Sequence, residues 1–323
     1  MVSVRGGPTS AIYDCAIVGA GPAGLTAGLY LTRFHRHVAI IDRGHSRAAA
    51  IPRTHNYPGF PDGVAGTELL GLMRDHLARM EGSIVSDTVV SIERCGSDFT
   101  LQLASNVSLG ARAVILCSGV QDIEPELPGT AEAIKAGVLR QCPICDGYEY
   151  TDKHIAILGD SQHSVNEAVF LRDFTAAIDF FSVARQPLQP ALQEQLGKAG
   201  IRLVEGSPIG LEVAANQTVT VVTDRGCRMQ VAGVYSALGV KPVNGLALSL
   251  GTAVDECGNV IVDAHCQTSV PHVYAAGDLV SGLHQISVSA GQAAIAATAI
   301  HNRLPPHRQR AGVARVSRVY PLK

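Results

Sequence analysis

Cys142 and Cys145 stand with two residues between them in the run RQCPICDGYEY, and Asp146 follows directly. A thiol pair at this spacing suits thiol–disulfide exchange: one thiolate attacks a substrate disulfide, and the second thiol resolves the mixed disulfide. A carboxylic acid beside the pair can donate a proton to the departing thiolate. Asp146-Gly147 also reads as a turn, and the two readings are compatible. A zinc site of four cysteines would need a second close pair, and the cysteines at 15, 95, 117, 227, 257 and 266 supply none. No His-x-x-x-His stands nearby, so the spacing points to redox chemistry rather than a metal. Cys15 and Cys117 lie inside apolar runs and read as small buried hydrophobes. Cys95, Cys227, Cys257 and Cys266 carry no functional reading.

A second constellation lies near the start of the chain. In CAIVGAGPAGLTAGLYLTRFHRHVAIID, Gly19, Gly21 and Gly24 give Gly-x-Gly-x-x-Gly between a predicted strand and a predicted helix. Asp42 ends the next strand, about 20 residues on, where an acid that binds a ribose diol is expected. A lone glycine pattern says little, but this context makes it a dinucleotide fingerprint. Gly19 permits the tight turn, Gly21 lets a pyrophosphate approach the backbone, and Gly24 lets helix and strand pack closely. The helix N-terminus then faces the anion.

The elements that must position these residues form a pattern. HNYPGFPDGVAGTELLGLMRDHL is a Pro- and Gly-rich loop leading into a helix, SIVSDTVVSIERCGSDFTLQLAS alternates like antiparallel strands, and ARAVILCSG is a short buried strand. HIAILGDSQHSVNEAVFLRDFTAAIDFFSVA is a second strand-turn-helix-strand that echoes the first. QTVTVVTDRGCRMQVAGVYSAL then repeats the hairpin and strand. TSVPHVYAAGDLVSGLHQISVSAGQAAIAATAIHNRL is a strand, a loop holding Asp278 and an Ala-rich helix. The expected fold class is α/β, with two Rossmann-like, three-layer ββα nucleotide-binding domains. The second is inserted in the first: residues 1–121 and 247–323 form one domain, and 122–246 the other.

Composition agrees. The 323 residues are 46% hydrophobic and 17% charged, enough for two domains with substantial cores. With 26 basic and 28 acidic residues, the net charge argues against nucleic acid as a partner. No apolar run approaches the ~20 residues of a membrane span. The opening MVSVRGGPTSAI lacks the apolar block of a secretion signal. A cytoplasmic protein is expected.

The runs GAGPAGLTAGLYLTR, NYPGFPDGVAGTELL, CPICDG, VYAAGD and HQISVSAGQAA resemble, in order and spacing, the low-molecular-weight, bacterial-type thioredoxin reductases. The resemblance covers nearly the whole chain. It implies an FAD-dependent, homodimeric disulfide oxidoreductase. In it, Gly19, Gly21, Pro22, Ala23 and Asp42 serve the pyrophosphate and ribose, and Asn56 lies near the flavin. It places the Val89 backbone at the adenine, Gly277 and Asp278 at the ribityl chain, and Gln285 and Ile286 at the pyrimidine end. A helix N-terminus there would stabilise negative charge on a reduced flavin. The resemblance further implies that Cys145 faces the flavin, Cys142 attacks the substrate and Asp146 moves the proton. Some relatives cover the flavin with an aromatic tail residue, a role that would fall to Tyr320.

The chain departs from that family at the second turn. The family has Gly-x-Gly-x-x-Ala there, for the NADPH pyrophosphate. Here Gly159 keeps the first glycine, Ser161 and Ser164 replace the others, and Asp160 adds a carboxylate beside the expected phosphates. The family's arginines for the 2′-phosphate are replaced by Ser182, Val183 and Ala184, with Arg185 the one basic residue kept. In these departures the chain is similar to ferredoxin-dependent flavin thioredoxin reductases and related flavin disulfide oxidoreductases, and that similarity implies a flavin disulfide reductase that does not use NADPH and is fed by a ferredoxin-like or other donor. Its partner would be a thioredoxin-like protein or a small disulfide or dithiol. The tail residues Arg308, Arg310, Arg315 and Arg318 could attract an acidic ferredoxin. The alternatives are an FAD-dependent dithiol oxidase passing electrons to oxygen, an NADPH-dependent thioredoxin reductase, and a redox-sensing flavoprotein. Relatives of the oxidase type carry His where Asp146 stands, and His is the better base near neutral pH, which favours the reductase.

Overall fold

The structure, a computed structural model, describes residues 12–184 and 187–305. The chain forms two compact units. The first is built from residues 12–53, 64–120 and 242–305, and the second from 54–63 and 121–241. The loop 54–63, which the sequence pattern attaches to the first domain, thus packs with the second unit, and residues 242–246 pack with the first.

Each unit repeats one plan. In the first, five parallel strands lie in the order Val273–Ala275, Val114–Leu116, Cys15–Val18, Val38–Asp42 and Ile84–Ser86. Alternate residues along these strands serve two cores. Cys15, Ile17, Ile40 and Ile115 pack with Leu25, Leu31 and Ala296 of the helices Pro22–Arg33 and Ile286–Arg303. Ala16, Val18, Ile41 and Leu116 pack instead with Val89, Ile92, Phe99 and Leu101. These last residues belong to an antiparallel sheet of Val89–Cys95, Asp98–Leu103 and Ser108–Ala111. Each fully buried Ile, Leu or Phe contributes about 2 kcal/mol to holding the three layers together.

The second unit has the same layers. Its parallel order is Arg202–Leu203, Ile178–Ser182, Ile155–Gly159, Gly233–Ser236 and Leu139–Arg140. Ile155, Ile157, Phe180 and Tyr235 face the helices Gln162–Leu171 and Pro190–Lys198 through Val165, Leu171, Leu192 and Leu196. Ala156, Leu158 and Phe181 face Leu211, Val219 and Val231 of the antiparallel sheet Pro208–Val213, Val219–Thr223 and Arg228–Val231. The internal repeat read from the sequence is therefore a repeat of all three layers, and the chain is an α/β protein with two Rossmann-like units. No helix among the described residues is long and apolar enough to cross a membrane.

Candidate functional site

In the first unit the strand Cys15–Val18 ends on Gly19, whose φ of +103 suits glycine alone; a Cβ there would come 2.4 Å from the Cys117 carbonyl oxygen. At Gly24 a Cβ would come 1.8 Å from the Gly19 carbonyl oxygen, so helix and turn are in direct contact. Gly21 is the N-cap, Pro22 is the first helical residue and Ala23 is buried behind it. No side chain among the described residues caps this end. Its first-turn N–H groups are thus left as donors for an anion. The Ala20 N–H donates to Asp42 Oδ1 at 3.1 Å, which brings the carboxylate to the turn. The Asp87 N–H donates to the Asp42 carbonyl at 3.1 Å, and Val89 starts its strand two residues later.

The distant end of the chain meets this turn. A Cβ on Gly277 would lie 3.0 Å from Ala23 Cβ and 3.5 Å from Ser289 Oγ. Asp278 Oδ2 is 3.0 Å from Arg47 Nη1, and the Ser289 hydroxyl donates to Asp278 Oδ1 at 3.4 Å. Gln285 is the N-cap of the helix Ile286–Arg303, whose first turn leads to Ser289. The fold thus gathers Gly19, Gly21, Pro22, Ala23, Asp42, Gly277 and Asp278 at one end of the first sheet. An open glycine turn, an unsealed helix end and two carboxylates fit the pyrophosphate and hydroxyl groups of a dinucleotide such as FAD. Arg47 was missed in the sequence, where nothing marked it as Asp278's partner.

The corresponding turn of the second unit carries a side-chain cap. Ser161 is the N-cap of Gln162–Leu171, and its Oγ accepts from the Ser164 N–H at 3.4 Å. In return, Ser164 Oγ accepts from the Ser161 N–H at 2.9 Å, and its hydroxyl donates to the Ser161 carbonyl at 2.7 Å. This capping box engages the N–H groups of residues 161 and 164 within the turn. Ser164 is fully buried, and a Cβ on Gly159 would lie 2.2 Å from Ser164 Cβ. Asp160 is exposed, and His163 pairs with Glu167 at 3.2 Å. Ser182, Val183 and Ala184 follow in place with no basic group, while Arg185 lies outside the described residues.

The same unit carries the dithiol. Cys142 and Cys145 form a disulfide with Cα atoms 5.3 Å apart. Cys142 is the N-cap of the short helix Pro143–Asp146, with Pro143 at its first position, and the Cys145 N–H donates to the Cys142 carbonyl at 2.9 Å. Asn56 joins them: its Nδ2 donates to the Ile144 carbonyl at 3.3 Å, and the Thr54 hydroxyl donates to its Oδ1 at 2.8 Å. Asn56 therefore stands against the dithiol turn in the second unit. Asp146 Oδ1 accepts from the Tyr235 hydroxyl at 2.7 Å, and Oδ2 lies 3.5 Å from Arg140 Nε. Burial holds the Asp146 carboxyl above the ordinary carboxylate range, against the opposing pull of Tyr235 and Arg140. Burial also raises the thiols of Cys15 and Cys117, and that of Cys266 to about 11, which keeps them protonated and unreactive at neutral pH. Tyr320 and the tail arginines lie outside the described residues.

Comparison with known proteins agrees with this arrangement. Residues 13–293 match the family described as pyridine nucleotide-disulphide oxidoreductase. A thioredoxin reductase from Mycolicibacterium smegmatis is 29% identical over 71% of this chain and 76% of its own length. The bifunctional thioredoxin reductase/thioredoxin of Mycobacterium leprae is 30% identical over 71% of this chain, and the match spans 52% of it. The chain likewise spans about half the length of other curated thioredoxin reductases that it matches. The thioredoxin reductase structure from Streptococcus pyogenes superposes with a TM-score of 0.83 at 27% identity, covering 91% of this chain and 98% of that one. The two strand-turn-helix units, the disulfide that lies between their turns in sequence and the match over residues 13–293 together establish that the chain belongs to the pyridine nucleotide-disulphide oxidoreductase family.

Proposed function

We propose that this flavin-dependent disulfide oxidoreductase exchanges electrons between FAD in its first unit and a substrate disulfide, by way of Cys142 and Cys145, without NADPH in its second unit. FAD would be held by Gly19, Gly21, Pro22, Ala23 and Asp42 at one end and by Gly277, Asp278, Gln285 and Ile286 at the other, with Val89 at the adenine, and would supply a two-electron redox centre. The remaining chemistry belongs to the chain. Reduction of the disulfide gives two thiols, and the Cys142 thiolate attacks one sulfur of the substrate disulfide. A mixed disulfide forms and one substrate thiolate leaves, taking a proton from Asp146. The Cys145 thiolate then attacks Cys142 Sγ, which restores the Cys142–Cys145 bond and releases the second substrate thiolate. The substrate gains two electrons and the pair loses two.

One observation carries the donor assignment: Ser161 and Ser164 satisfy each other at the helix end that would otherwise receive a pyrophosphate. A ferredoxin-like protein or another reductant would then feed the flavin. The oxidising partner would be a thioredoxin-like protein, as the names of the relatives suggest, or a small disulfide. The enzyme would work as a homodimer. The test is anaerobic mixing of the yellow holoenzyme with NADPH, NADH, reduced ferredoxin and dithiothreitol in turn, with flavin bleaching as the readout. Fast bleaching by ferredoxin and slow bleaching by both nicotinamides is the expected pattern. Rapid bleaching by dithiols, with oxygen uptake in air, would instead make it a dithiol oxidase.

A further inference from the structure

Asp146 is gripped from outside its own helix. The strands Leu139–Arg140 and Gly233–Ser236 pair in parallel with Tyr235 opposite Arg140, so the register of the sheet sets a phenol beside a guanidinium. The phenol reaches Asp146 Oδ1 at 2.7 Å and the guanidinium lies 3.5 Å from Oδ2. Both groups are held in turn. Tyr235 is fully buried, and its ring meets the Tyr150 ring edge-on at 5.7 Å between centroids. The single Arg140 Nε–H donates to the Tyr150 hydroxyl at 3.3 Å, and the guanidinium meets Asp146 as an ion pair. A Cβ on Gly233 would come within 2.5 Å of the Tyr150 ring, so this stack is tightly seated.

We propose that Tyr235 and Arg140 are positioning residues that fix the Asp146 carboxylate at the end of the dithiol helix and set the pH at which it carries a proton. The inference rests on the reading of Asp146 as proton carrier for the cysteine pair. The charged and titratable groups that face the carboxyl are Tyr235, Arg140 with its partner Tyr150, and Glu149 on the following turn. A hydrogen-bond donor on Oδ1 and a positive charge beside Oδ2 serve the ionised form. Burial and the negative charge of Glu149 favour the neutral form. The balance leaves a carboxyl that can both hold a proton and release it within a turnover, which burial alone would not allow.

The experiment follows the C=O stretch of the protonated carboxyl by infrared spectroscopy across pH in the holoenzyme and in the Tyr235→Phe, Arg140→Gln and Asp146→Asn variants. Loss of the band in Asp146→Asn assigns it. Its titration midpoint should rise by about one pH unit in Tyr235→Phe, and less but in the same direction in Arg140→Gln. Wild-type midpoints in both variants, with native circular dichroism, would overturn the proposal. Should Tyr235→Phe not fold, the part-exposed Arg140 decides the matter alone. In parallel, the reaction of the reduced enzyme with 5,5′-dithiobis(2-nitrobenzoate) is measured over the same pH range. Its Asp146-dependent break should track the infrared midpoint. If the midpoint moves and the rate profile does not, the positioning role stands and the proton-carrier reading of Asp146 falls.

Discussion

The chain contains the same turn twice, and the copies have diverged in opposite directions. The turn at Gly19–Gly24 has a glycine N-cap and no side-chain cap among the described residues. The turn at Gly159–Ser164 has a serine N-cap locked in a reciprocal box. Strand, helix and sheet order around the two are alike. The duplicated scaffold therefore does not determine how the helix end of each turn is capped. A few side chains decide whether the N–H groups are offered outward or used internally. The sheet of the second unit also carries Tyr235 and Arg140, which contact Asp146.

Substitutions at equivalent places should separate the two turns. The largest effect belongs to Gly24→Ala. Its Cβ would stand 1.8 Å from a backbone oxygen, so helix and turn must part. Loss of FAD and a drop of about 3 kcal/mol in urea-unfolding stability are expected. Gly21→Ala is milder, since its Cβ would meet only the movable Ser46 hydroxyl, at 3.2 Å. The fold should persist while flavin affinity, read by fluorescence on dilution, falls roughly tenfold. An unchanged affinity would remove Gly21 from the pyrophosphate site. In the second turn, Ser161→Ala should cost about 1 kcal/mol of stability through the lost cap. Its flavin content and dithiol reactivity should match wild type, and a loss of FAD there would erase the contrast between the turns.

The smallest effect concerns pH. The folded-state pKa of Asp146 is raised, chiefly by burial. Its proton therefore favours the folded state fully below about pH 4, and this contribution is lost as pH rises through the elevated folded value. Urea titrations at several pH values should show that loss in wild type and not in Asp146→Asn. Parallel curves would mean that Asp146 titrates normally.

Much of this was legible before any coordinates. The glycine spacing, the acid at position 42 and the Cys-x-x-Cys are local signals; the structure sets Asp42 against the glycine turn and joins the two cysteines in a disulfide. The internal echo was readable because both halves alternate two buried faces along short strands. What escaped was non-local. Tyr235 reads as one more buried residue of a strand, and its partner Asp146 lies 89 positions away. Arg140 is two residues from Cys142, yet only the parallel register brings it level with Tyr235. Arg47 meets Asp278 across 231 positions. The loop 54–63 reads as part of the first domain, and only the structure shows Asn56 hydrogen-bonded to Ile144 in the dithiol helix. Periodicity reports which face is buried and is silent about which side chain arrives from elsewhere.

Calorimetric titration of the FAD-loaded enzyme with NADPH tests the central claim most directly. The account predicts no saturable binding up to about millimolar nucleotide. Saturable binding with a Kd near 10 µM or below, abolished by substituting residues of the Gly159–Ser164 turn, would contradict it.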